Sequence, residues 1–483
     1  MPPSYREIDR VLGSDPQFGA AEVIEARNIA RYRLGLTLLS RHHPESAERF
    51  GWLAKADDAA LRPYLYDPVL RNAFENDLVN LELQRTQPSA LAEYLAYAGT
   101  DRGDGLGPCE RLMEPHYRPW PGRGRAWVWT DVRPKQAAHP LAARLDELRE
   151  GTLAEMRATR RVSPDAAMLE GLTRGAELLA ELLPHAGAGV FPHISLIGLA
   201  QGETDDGQLY SLSGGDPLPS ALLVAPEHLA KPWKTAEILF HEGLHLKQFE
   251  VLRTGSLVAD PDRMTDIPWR VVPWDLRRVI AAFHVYAHMV LFFAAAEEAP
   301  AELRARFGEP PSDEDVGVPT PGSLAAAEGG YTTSKERAAF LGRQALLAHG
   351  DALTPAGRRF VQWMLDAIEP LAPGTRVDGP AAGPAAEPVA AAPVPEPDPR
   401  GYRKVEPVGV CPLPELGQLL AVAPASRRFH WLNEHAWLIY ALCDGRGLEE
   451  IRASYREQLG EDGPLAAGIA GLVEAGLVEP VAG

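Results

Sequence analysis

Apolar side chains recur every three to four residues through most of the first 370 positions. This spacing predicts amphipathic helices over 19–40, 44–55, 70–97, 139–160 and 165–186. Between 189 and 225 the pattern changes to short apolar runs broken by Gly, Asp and Pro, which predicts two or three strands. Helical spacing returns at about 227–254, 275–298, 334–349 and 355–371, the last opened by Thr354 as cap and Pro355 in the first turn. Residues 101–125 and 307–333, rich in Gly and Pro, read as long surface loops.

Residues 371–400 interrupt this order with eight prolines and almost no bulky apolar side chain. A segment of that composition cannot bury a core, so it reads as a semi-rigid linker. If extended, residues 379–399 would reach roughly 65 Å at ~3.1 Å per residue. The chain therefore divides into a catalytic region at 1–370, a linker at 371–400 and a C-terminal module at 401–483. The expected fold class is α+β: a mostly helical region with a short sheet before one central helix, followed by a small winged-helix domain of one β-hairpin and three helices.

Composition narrows the function classes. The net charge is −18 with an isoelectric point near 5.3, which argues against nucleic acid and against an anionic membrane surface as partners. Cys109, Cys411 and Cys443 lie far apart and form no CxxC pair, so neither a disulfide framework nor a thiolate metal site is expected, in keeping with a reducing cytoplasm. The first residues show no basic, then apolar, secretion signal. The greasiest stretch, 285–296, is too short to span a bilayer and reads as a buried helix.

The candidate chemistry sits in "FHEGLHLKQFE", residues 240–250, which contains His241-Glu242-x-x-His245. Two histidines four apart on a helix lie about 40° apart around its axis, so both rings can reach one metal. The longer zinc-peptidase pattern fails, because Gln248 and Val251 occupy its glycine and third-histidine positions. The next histidines, His284 and His288, are again four apart on an apolar helix and share a face. One of them is expected to be an ordinary hydrogen-bonded core residue. Three imidazoles suit iron, zinc, copper and nickel alike, so the residues by themselves leave the metal open.

The stretch 185–300 resembles the HExxH-type peptide β-hydroxylases that use Fe(II) and 2-oxoglutarate. The matching features are a strand before the motif, Lys247 two residues past the second histidine, "PWR" at 268–270 and the helix "FHVYAHMVLFF". That resemblance implies His241, His245 and His288 as metal ligands, with His284 as competitor. Glu242 would orient a ligand or water, whereas in a zinc peptidase it would be the general base. The distal carboxylate of 2-oxoglutarate needs a cation; Arg270 is the first candidate and Lys247 the second. Such enzymes act on ribosomally made precursor peptides, often beside a radical-SAM maturase.

The C-terminal module is similar to the PqqD-like recognition elements that bind the leaders of such precursors. The features that carry this are Leu432-Asn433-x-x-Ala436, the run to Leu442-Cys443-Asp444-Gly445, Leu448-x-x-Ile451 and Leu472-x-x-x-Gly476-Leu477-Val478. A DNA-binding winged helix is the rival, but residues 400–483 carry eight Lys/Arg against eleven Asp/Glu. That is the wrong electrostatic footprint for DNA. Together the two resemblances imply a cytoplasmic Fe(II)/2-oxoglutarate hydroxylase of a side-chain β-carbon, with a precursor peptide recruited through its leader. The alternatives are a zinc peptidase that removes the leader and a non-catalytic scaffold that presents the precursor to another enzyme.

Overall fold

The strand-forming stretch at 189–225 builds the sheet that positions the central helix. In the computed structural model, which describes residues 3–99, 104–154, 156–203, 211–313, 322–377, 401–425, 427–460 and 465–481, the chain forms two compact units. The first holds Met1–Ala26, Arg62–Asn72 and Ala96–Gly379; the second holds Arg27–Leu61, Ala73–Leu95 and Pro380–Gly483. The class is α+β, mostly helical with several small sheets.

In the first unit, β1 (Trp127–Val128), β3 (Leu196–Glu203) and β5 (Ala221–Val224) run parallel. β4 (Leu212–Ser213) adds antiparallel to β5, and β2 (Arg157–Arg161) pairs antiparallel with β3. Leu196, Ile197, Leu222, Leu223 and Val224 are buried to 1% exposure or less, as expected for parallel strands covered on both faces. Helix α1 (Ala166–Leu182) starts on Asp165, whose carboxylate accepts the Met168 N–H at 2.8 Å. Helix α2 (Pro232–Thr254) begins on a proline and has none inside. It packs close to α1 because Gly175 faces Thr235; a Cβ there would lie 2.4 Å from the Thr235 methyl. Helix α3 (Leu276–Glu297), capped by Asp275, is apolar on nearly every face and packs against α2 and the helices at Ser334–Arg343 and Pro355–Ile368. Among the described residues it alone is long and apolar enough to cross a membrane, and 83% of its apolar window is buried inside the unit.

In the second unit, the antiparallel sheet β7 (Gly409–Leu413), β8 (Gln418–Val422) and β9 (Phe429–Leu432) is followed by α4 (Glu434–Leu442), α5 (Leu448–Leu459) and α6 (Leu465–Glu474). Asn433 caps α4 by accepting the Ala436 N–H at 2.9 Å. A separate pair, β6 (Tyr402–Lys404) with β10 (Val478–Pro480), joins the two ends of this region. Alternation along β8 sorts its side chains between two cores. Leu419, Ala421 and Ala423 face α4–α6, packing with Ile439, Ile451 and Ile469. Leu420 and Val422 face the other way, against Ala30, Leu34, Leu38 and Leu81 of the helices Ala21–His42 and Pro68–Glu82.

Several expectations change. The helix expected over 70–97 is two, Pro68–Glu82 and Ala90–Ala98. The end of the 139–160 helix is strand β2. Residues 429–432, given no element in the sequence, add a third strand to the expected hairpin. Helices 27–42 and 73–82 group with the C-terminal residues because β8 has a second apolar face that needs cover. The linker at 378–400 lies outside the described residues, and its expected first residues do not behave as linker: Ala372 and Val377 are buried in the first unit's core.

Candidate functional site

Helix α2 presents the His241 and His245 rings side by side, with centroids 5.3 Å apart and planes at 64°. Two imidazoles bound to one metal at a metal–nitrogen distance of ~2.1 Å hold their centroids about 5 Å apart, so the pair matches two positions of a divalent metal. Burial pushes His245 down to about 4 and His241 to about 3, with each other's proximity adding to the effect on His241. Neither ring hydrogen-bonds to another described residue. Both are therefore neutral at physiological pH with free lone pairs, the form a metal binds.

Glu242 lies between this pair and the sheet. Its Oε2 accepts the Ser213 N–H of β4 at 2.7 Å, and Oε1 lies 3.8 Å from His241 Nε2. Burial pushes its carboxyl up to about 8, against the opposing pull of Ser213. Gly243, the next residue, lets the helix approach the turn at Ala188–His193; a Cβ there would sit 2.8 Å from Val190.

The His284 and His288 rings meet edge to face on α3, centroids 4.6 Å apart, exposed by only 2% and 1%. His288 Nδ1 pairs with the His284 carbonyl at 2.8 Å, which leaves Nε2 as its lone-pair nitrogen and fixes the ring as metal ligands commonly are. The His284 imidazole is pushed well down by burial, then by His288, Lys247 and His245, and its Nδ1 has no hydrogen-bond partner. Among the described residues no three His, Cys, Asp or Glu side chains gather around one point. The structure thus brings His241 and His245 together and leaves His284 and His288 in the interior beside Phe240 and Phe360.

Neither cation chosen from the sequence stands beside the pair. Lys247, 1% exposed, donates to the Gly19 carbonyl at 2.5 Å. Two residues on from His245, it points about 200° around the helix from it. Burial pushes its amine down to about 8, while Glu22, Asp9 and Asp15 hold it up. Arg270 is exposed and lies 5.7 Å over the Trp274 ring.

A cavity of about 620 Å³ reaches His245 but not His241. His245 lines it with Gln248, Phe249 and Leu252 of α2, and with Arg277, Arg278 and Ile280 of α3. The sequence reading passed over Gln248, Arg277 and Arg278. The available signal was a pair of like charges in a helix's first turn. It also passed over His193, fully buried with both ring nitrogens unpartnered, which feels the Lys247 charge; a lone histidine in "VFPHIS" gives little warning. A scan against models of protein families finds no match to the chain, and a search of curated proteins finds none either.

Proposed function

We propose that the chain is an Fe(II)/2-oxoglutarate-dependent hydroxylase that adds oxygen to a side-chain β-carbon of a ribosomally made precursor peptide. The observation that carries this is the arrangement on α2: two neutral, unengaged imidazoles at chelating distance, one of them lining a cavity wide enough for a side chain. His241 and His245 would hold the metal. His288 would be the third ligand in this reading, since its Nδ1 is committed to a backbone carbonyl and Nε2 is free, although the structure does not gather it with the pair. Bound iron would let O2 and 2-oxoglutarate supply the oxidising chemistry, with one oxygen atom going to the peptide C–H bond, the other to succinate, and CO2 released.

The chain's own groups then have simple tasks. Glu242, tied to Ser213, fixes the end of β4 against α2 and keeps its other oxygen 3.8 Å from His241 Nε2. Its engagement with a backbone N–H favours this positioning role over that of a free general base. Phe249, Leu252, Leu257 and Ile280 exclude water from one wall of the cavity. The C-terminal residues bind the precursor's leader in this reading, by adding it as a strand to a sheet edge. That raises the local concentration of the segment to be modified. The resemblance that implies the enzyme also implies a radical-SAM maturase as a working partner.

Metal analysis combined with succinate measurement tests the proposal. The purified chain should retain about one iron and release succinate in proportion to peptide. Zinc retention with a shortened peptide and no succinate would indicate the peptidase instead. A chain that holds no metal at all would indicate the scaffold.

A further inference from the structure

Helix α2 is buried on every side except along one stripe. Between Trp233 and Leu252 the only residues not buried are Lys234, Glu237, His241, His245, Phe249 and Leu252. They follow one another at three or four residues, the helical repeat, so they lie in a straight line about 27 Å long. His241 and His245 stand at its middle. Each end opens into a cavity. Lys234 and Glu237 line one of about 660 Å³, together with Phe307 and Pro310. Phe249 and Leu252 line the cavity of about 620 Å³ beside His245, together with Ile280 of α3. An ordinary solvated helix face is broad and charged. This one is a single residue wide, carries a phenylalanine and a leucine, and has a cavity at either end, so it is a trough.

The two ends differ in chemistry. At one, Lys234 Nζ donates to Glu237 Oε1 at 2.8 Å, and the lysine side chain is 39% exposed, so the pair can still meet a further polar group. At the other, Leu252 is 36% exposed beside Phe249. Apolar surface inside a cavity gains by being covered. An extended chain rises ~3.3 Å per residue, so about eight residues fill the trough. Each end lies about 11 Å from the midpoint of the histidine pair, roughly three to four residues of extended chain.

We propose that this trough holds an extended peptide segment in a fixed polar-to-apolar order, with the residue acted on placed over the histidine pair. An apolar side chain at that remove on one side fills the Phe249–Leu252 cavity. A charged or polar side chain at the same remove on the other side meets Lys234 and Glu237. The apolar side chain sets the register, because it is the one taken out of water. The inference rests on the reading that the chain modifies peptides, but not on which reaction it performs.

The test lets the full-length chain select from a random library of blocked decapeptides, with the retained peptides sequenced by mass spectrometry. Retained sequences should pair an apolar residue with a charged or polar one roughly six to eight positions away, in one chain direction only. Leu252→Asp should lower the apolar enrichment ~10-fold and leave the other end of the selected sequence as it was. Glu237→Lys should change the charge selected at the polar end and leave the apolar one. A merely structural effect would weaken both ends together. Leu252→Ser replaces the aspartate variant if that one does not fold. No order among the retained peptides, or the same order in both variants, overturns the trough. Ordered selection without oxygen gain in the precursor would sink the proposed reaction and leave the trough; oxygen gain without ordered selection would do the reverse.

Discussion

Replacing Glu242 by Gln separates two roles for this carboxyl, and the structure sets the size of the effect. The amide can still accept the Ser213 N–H, so the local geometry is kept. What disappears is a titration. In the metal-free folded chain the Glu242 carboxyl is pushed from its ordinary 4.5 to about 8. Between these values the folded state holds a proton that the unfolded chain releases, so wild-type stability falls as pH rises through that window. At about 1.4 kcal/mol per pH unit, the whole change is roughly 3–5 kcal/mol, most of it between pH 5 and 8. His241, His245 and His288 have depressed values and act in the opposite direction up to about pH 6.5. They are common to both proteins and cancel in the difference. Urea unfolding in chelator at pH 5 and pH 8 measures it: wild type should lose stability relative to Glu242→Gln as pH rises. Parallel pH profiles would refute the burial argument. In the loaded enzyme the variant should keep measurable hydroxylation, whereas loss of a general base costs about 10²–10⁴-fold. Complete inactivity with metal content intact would refute the positioning role.

Three further outcomes follow. His241→Ala, His245→Ala and His288→Ala should each lose iron by metal analysis, while His284→Ala keeps it; the reverse for the last two would make His284 the third ligand. Leu420→Ala, which opens a cavity against Leu34 and Leu38, should cost about 2–5 kcal/mol in the second unit without changing iron content, read by denaturant unfolding and metal analysis. Gly243→Ala drives a methyl into Val190 and should cost about 1–3 kcal/mol, seen as a lower melting temperature.

Local pattern revealed the parts of this fold that local forces determine. The motif helix, the strands before it and the Thr354 cap all depend on residues within a few positions of one another. The second apolar face of β8 was visible as Leu420 and Val422, but its cover lies nearly 400 residues earlier, at Ala30 to Leu38. No spacing rule links them. For the same reason the grouping of 27–61 and 73–95 with the C-terminal residues was not legible from the sequence. Lys247 looked available as an anion partner, yet the Gly19 carbonyl, 228 residues away, takes its proton donor. The strand at 157–161 was hidden by a helical spacing that continued past residue 152. Of the candidate site, His241, Glu242 and His245 were legible from four-residue spacing. The cavity wall was not, because Gln248 and the Arg277–Arg278 pair become neighbours only through the packing of α2 against α3.

The central claim is that the His241–His245 pair serves oxygen insertion into a peptide and not its cleavage. Mass spectrometry of the precursor peptide after incubation with the full chain, Fe(II) and 2-oxoglutarate decides it. The account predicts a gain of one oxygen on a side chain of an intact peptide, dependent on both cofactors. A shorter peptide, or an unchanged one with iron bound, would contradict it.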